Sequence, residues 1–202
     1  MLIKESTSKS GEQNAEFEKE WLKMEKYDFK ILTLIAVLAE SNLAYRGKIK
    51  DMCEFLGVKT GQSRTNKAIK EAIEKLEREG YIGVLRDKQV YTLTLRVKAE
   101  KDRKVIRIQK KWIQMARETK SKGASWDNVL RVWLYLIDNK KEIITNADIA
   151  EALDMDNKMV SRIKTILTKE LQTIKCVNRA KKIDEHTFIK LGQTIDTFAW
   201  ID

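Results

Sequence analysis

Two short runs set hydrogen-bonding side chains of complementary kinds on the early turns of helical patterns. Lys59 and Thr60 precede an amphipathic stretch from Gln62 to Glu79, and Ser63, Arg64, Asn66, Lys67 and Lys70 occupy its outward side. Asn157, Lys158, Ser161, Arg162 and Thr165 stand in the same way on a stretch that opens at Asp156 or Asn157 and runs to about Gln172. Arg and Asn have the paired hydrogen-bonding atoms that match guanine and adenine edges, whereas Lys, Ser and Thr more often meet phosphate. The chemistry on offer is non-covalent reading of a polyanion.

Bond-making chemistry has little to work with. The one His, His186, lies in a charged turn, and the two Cys, Cys53 and Cys176, are far apart in amphipathic patterns. No metal-ligand spacing arises from them. No Gly-rich loop opens a helix to cradle a phosphate, and no nucleophile is spaced for a catalytic set. The expectation is a protein that is not an enzyme and uses neither metal nor cofactor.

Charge supports the polyanion reading by its location. The 202 residues carry a formal net charge of +10. Residues 98–122 hold ten Lys/Arg against three Asp/Glu, and residues 123–202 hold 12 of each. A concentrated basic stretch is the electrostatic footprint of a nucleic-acid binder. Within it Arg103, Lys104, Arg107, Lys110 and Lys111 lie mostly off an apolar stripe of Val105, Ile108, Trp112, Ile113 and Ala116. That pattern reads as a helix from Lys104 to Arg117, although Val105–Ile108 alone fits a strand. The longest apolar run, Ile31–Ala39, is too short to span a bilayer. The first 20 residues lack the apolar core of a signal peptide, and both Cys read as reduced, so the expected location is the cytoplasm.

The elements that must position these residues occur in a repeated order. Residues 1–15 read as a frayed, polar terminus. Residues Glu16–Lys26 suggest a short helix, and Asp28 opens a strongly apolar one. Helices from about Arg46 to Leu56 and from Gln62 to Glu79 follow, then a hairpin, Tyr81–Val97, around the turn Arg86–Gln89. After the basic stretch, Ser125 and Thr145 are N-caps for helices beginning near Trp126 and Ala147. The helix to Gln172 comes next, and a loose alternation from Ile174 to Leu191 suggests a second hairpin. Trp21, Trp112, Trp126 and Trp133 fall on apolar faces. Glu71–Lys75 and Glu74–Arg78 have the spacing of helix-stabilising ion pairs.

One segment meets the steric demands of two helices crossing at a tight turn. Ala150 is small where the helices must approach, and Asp154 is tolerant of positive φ where the chain must turn. Ile149, Leu153, Met155, Val160 and Ile163 are apolar where the pair must pack. Asp148–Met155, followed by Met159–Ile163, resembles the helix-turn-helix of bacterial and phage winged-helix regulators. Cys53 and Gly57 take the small-residue and turn places in an earlier, looser copy.

The resemblance implies a mainly α fold with small β-hairpin wings. Two winged-helix domains, 16–97 and 123–202, would be joined by a basic helix, 98–122. It further implies sequence-specific binding of double-stranded DNA, in transcription control or in replication of a plasmid, phage or mobile element. The wing tips would bring Arg86 and Lys88, and Arg179, Lys181 and Lys182, to the minor groove or backbone. One chain could read two half-sites, or a homodimer a palindrome. The alternative is a winged-helix adaptor whose basic helix meets an acidic protein.

Overall fold

Helices carry most of the structure, and small antiparallel sheets brace them. A computed structural model describes residues 14–39, 44–96, 104–119, 123–139 and 144–171, with the backbone of 175–182 and 188–197. The chain enters through strand β1 (Asn14–Glu18) and a 3-10 turn (Lys19–Lys23) into α1 (Lys26–Leu38). Strand β2 (Ala44–Lys48) leads directly into α2 (Ile49–Leu56), then α3 (Ser63–Arg78) and the hairpin β3 (Ile82–Asp87) and β4 (Val90–Leu95). Strand β5 (Val105–Gln109) runs into α4 (Lys110–Glu118), and α5 (Trp126–Asp138), α6 (Asn146–Leu153) and α7 (Asn157–Thr165) follow. A π-helical turn, Ile166–Glu170, extends α7 before strands β6 (Lys175–Lys182) and β7 (Phe188–Thr197). Three helices and an antiparallel hairpin therefore occur twice in order.

Three strands depart from the sequence expectations, and each has a remote cause. β1 and β5 pair antiparallel, with Glu16 opposite Arg107 and Phe17 opposite Ile106. Ala15 and Phe17 point inward from β1, as do Ile106 and Ile108 from β5. That is the period of two of a half-buried strand, completed by a partner far away in sequence. Strand β1 thus takes the last two residues of the supposed terminus and the first three of the supposed short helix, and the supposed basic helix is half strand, half helix. β2 pairs with β4 in a sheet of order β2-β4-β3. It takes the residues Arg46–Lys48, so the following helix starts only at Ile49. Residues Arg86 and Asp87 belong to β3, which narrows the turn to Lys88-Gln89, with Lys88 at φ 53°.

The core does not stop at the boundary between the halves. One continuous set of buried side chains runs from Phe17, Trp21 and Phe29 through Ile73 and Leu76 to Trp112, Trp133, Ile163 and Leu167. The four Trp expected on apolar faces are all buried. α4 lies against α5 through an edge-on contact of Trp112 with Trp133, ring centroids 5.3 Å apart. At the seam, Lys30 of α1 is 3% exposed and donates to the Leu56 carbonyl at 3.0 Å. Its amine is 3.3 Å from Asp127 Oδ1 of α5 and 4.8 Å from the centroid of the Trp126 ring. Burial lowers the Lys30 pKa, and the Asp127 charge opposes that shift. Arg131 donates to the Leu22 and Glu25 carbonyls at 3.1 and 3.2 Å and stacks over Phe29. Two cations and one carboxylate thus close the seam between α1 and α5.

Candidate nucleic-acid interface

α3 owes its orientation to one apolar stripe. Ile69, Ala72, Ile73 and Leu76 are buried against α1 and β3, at the spacing of a single helical face. The opposite side must then face outward, and Ser63, Arg64, Lys67 and Lys70 are exposed there, with Lys59 and Thr60 exposed on the approach. No acidic residue stands in its first turn. Asn66 is half-buried, and its Oδ1 accepts from Cys53 Sγ at 3.6 Å, so this side chain also bridges α2 and α3. Lys67 pairs with Glu71 at 3.7 Å, a solvent-exposed contact that contributes little.

The turn before α3 begins at Gly57, which ends α2 at φ 65° and packs beside the Trp126 indole. A side chain there would be strained by the positive φ. The indole N–H of Trp126 donates to the Leu56 carbonyl at 3.1 Å. Arg117 of α4 donates to the Phe55 carbonyl at 3.1 Å and lies over the Phe55 ring. The end of α2 is therefore fastened to the α4–α5 connection.

α6 and α7 form the second pair. Thr145 Oγ1 accepts from the Asp148 backbone N–H at 3.2 Å, and Asp148 Oδ2 accepts from the Thr145 N–H at 2.7 Å, a complete capping box. The Thr145 hydroxyl, which donates to Asp148 Oδ2 at 2.7 Å, and then the Thr145 N–H hold the Asp148 carboxyl below its usual pKa. Asp154 ends α6 at φ 51°, in the left-handed region that the turn requires. The Met155 N–H then returns to the Ala150 carbonyl at 2.9 Å. Ile149, Ala150, Leu153, Val160 and Ile163 are buried, as the crossing of the helices demands. Asp156 caps α7 by accepting from the Lys158 N–H at 2.6 Å.

Asn157, Lys158, Ser161, Arg162 and Thr165 are exposed on the outer side of α7. Arg162 Nη1 donates to the Gly123 carbonyl at 2.9 Å. Gly123 has φ 97°, and an added Cβ would collide with the Arg162 guanidinium. The α4–α5 connection therefore touches both pairs, at Leu56 through Trp126 and at Arg162 through Gly123. The turn before α3 and the outer side of α7 both adjoin that connection.

Several expected contacts are differently placed. Arg86 turns back from the hairpin to Glu74 and Glu77 of α3, at 3.6 and 3.8 Å, and lies over the Tyr91 ring. It is a brace between β3 and α3 rather than a tip residue, because two carboxylates stand one helical turn apart beside it. Lys88, at the turn itself, is exposed. Lys75, expected to pair with Glu71, instead meets Asp28 at 2.7 Å and Glu25 at 2.9 Å.

The basic segment also divides. Lys104 precedes β5, Arg107 lies on β5 and pairs with Glu16 at 3.0 Å, and Lys110 and Lys111 open α4. Arg103 lies outside the described residues. Arg179, Lys181 and Lys182 are on β6, preceding the turn expected to carry them, and that turn is outside the described residues. Lys48 and Lys50 were not anticipated. The β2–α2 junction brings them beside Lys70 and Lys88, a juxtaposition that depends on the unforeseen strand β2.

Among the described residues no group of three or more His, Cys, Asp or Glu could hold a metal ion. No described helix is long and apolar enough to cross a membrane. No family model matches the chain, and no curated protein matches it in sequence.

Proposed function

We propose that the chain is a sequence-specific binder of double-stranded DNA built from two winged-helix units. In this reading α2–α3 and α6–α7 are the helix-turn-helix pairs, α3 and α7 lie in major grooves, and β3–β4 and β6–β7 are the wings. The observation that carries the reading is the shared composition and exposure of α3 and α7. Each presents Arg, Lys and Ser from an outward face without an acidic residue in its first turn. Each is braced by a shorter helix that ends at a left-handed residue, Gly57 or Asp154.

Common attachment to the α4–α5 connection favours both helices engaging one duplex in a single chain. The biological setting proposed is transcription control or replication of a plasmid, phage or mobile element. Electrophoretic shift with duplex DNA and nonspecific competitor tests the reading. Retention of a selected duplex, lost in Arg64→Ala/Arg162→Ala, is the expected result. Equal retention by that variant, or none by the wild type, turns attention to an acidic protein partner.

A further inference from the structure

Four lysines distant in sequence converge on one concavity. Lys48 ends β2, Lys50 stands in the first turn of α2, Lys70 lies on α3, and Lys88 occupies the β3–β4 turn. With Asn66 and Tyr91 they line a cleft of about 490 Å³ between those elements. No carboxylate lines it. The nearby Asp51 is directed to the backbone, accepting the Lys48 N–H at 2.8 Å. None of the four amines forms an ion pair with a described residue.

Like charges around a concavity repel one another, and its low-dielectric walls focus their field on whatever enters. An anion there offsets the repulsion. Two further lining residues carry hydrogen-bond donors, the amide of Asn66, whose Oδ1 is engaged by Cys53, and the hydroxyl of Tyr91. These are donors for phosphate oxygens, and the space exceeds one phosphate, leaving room for flanking sugars.

We propose that this cleft seats a phosphate group, the phosphodiester of a nucleic-acid strand passing between α3 and the hairpin. The source of that phosphate rests on the duplex-binding reading. The chemistry does not, because inorganic pyrophosphate satisfies the same donors. The test therefore uses both probes on the full chain. Pyrophosphate is titrated into the wild type and K48Q/K50Q/K70Q/K88Q while backbone amide resonances are followed. Duplex affinity is measured for both across a salt series.

The expected result is saturable shifts of the Lys48–Lys50 and Lys88–Gln89 amides in the wild type alone. With it, the slope of log affinity against log salt becomes shallower by about 0.9 per phosphate contact removed. Shifts at the cleft with no duplex retained keep the seat and remove the duplex as its source. An unchanged slope, with pyrophosphate shifts no larger at the cleft than elsewhere, overturns the seat and leaves duplex binding standing. The pyrophosphate titration needs only the wild type, so poor folding of the variant cannot hide a negative answer.

Discussion

Arg64 is the second residue of α3 and Arg162 the sixth of α7, and their surroundings differ as well. Arg64 is exposed with no hydrogen-bond or ion-pair partner among the described residues, whereas Arg162 is fastened to Gly123. A guanidinium free to approach a guanine edge carries discrimination, while a lysine beside it carries charge. Arg64→Ala is expected to weaken a selected duplex by about 1–3 kcal/mol and to relax preference at one base pair. Lys67→Ala is expected to weaken all duplexes alike, and competition binding against single-base variants separates the two outcomes. The Thr145–Asp148 capping box makes a stability prediction. Thr145→Ala is expected to cost about 1 kcal/mol in urea unfolding at neutral pH. Because the folded pKa of Asp148 is lowered, its contribution is complete above the ordinary carboxylate range and fades as pH falls through the folded value. Asp148→Asn should therefore remove part of the acid sensitivity of the wild type, and an unaltered urea-midpoint profile below pH ~4 would count against that assignment.

At the scale of elements, the turn at Asp154 is the most exposed to test. A non-Gly residue at φ 51° is strained, so Asp154→Gly is expected to be neutral or to stabilise by up to about 1 kcal/mol. A β-branched residue there, Asp154→Val, should destabilise by about 1–2 kcal/mol in the same denaturant titration. This turn could be read from the sequence because its constraints are local: a small Ala150, a tolerant Asp154 and apolar flanks. The stripe of α3 was legible for the same reason, within one residue at each end. The strands β1, β2 and β5 were not. Val105–Ile108 alone fits a strand, but a five-residue strand there makes sense only beside Asn14–Glu18, and nothing within either segment announces that partner. The candidate interface divides along the same line. Outward residues of α3 and α7 follow from helical phase, whereas the return of Arg86 to Glu74 and Glu77, the pairing of Arg107 with Glu16, and the meeting of Lys48 and Lys50 with Lys88 depend on tertiary neighbours.

At the scale of the whole molecule, the seam between α1 and α5 decides whether the two halves act as one body. Asp127 is the carboxylate that faces buried Lys30, and its removal would leave a buried charge without compensation. Asp127→Ala is expected to destabilise by about 3–5 kcal/mol, and Lys30→Met/Asp127→Leu by much less, since an apolar replacement removes both desolvation penalties. The folded pKa of Lys30 is lowered, so burying its charge opposes folding at neutral pH, and that opposition eases as pH rises from the folded value towards the unfolded one. The Asp127→Ala deficit should accordingly shrink in alkaline solution, which chemical unfolding at a series of pH values would show. A closed seam holds α3 and α7 at one spacing, and a fixed spacing makes a definite claim about the site. Selection of duplexes from a random pool, followed by footprinting of the wild type, Arg64→Ala and Arg162→Ala, measures it directly. One continuous footprint covering two successive major-groove contacts is expected, with each variant losing protection at a different end. Failure to enrich any duplex at moderate salt, or a footprint indifferent to both substitutions, would contradict it.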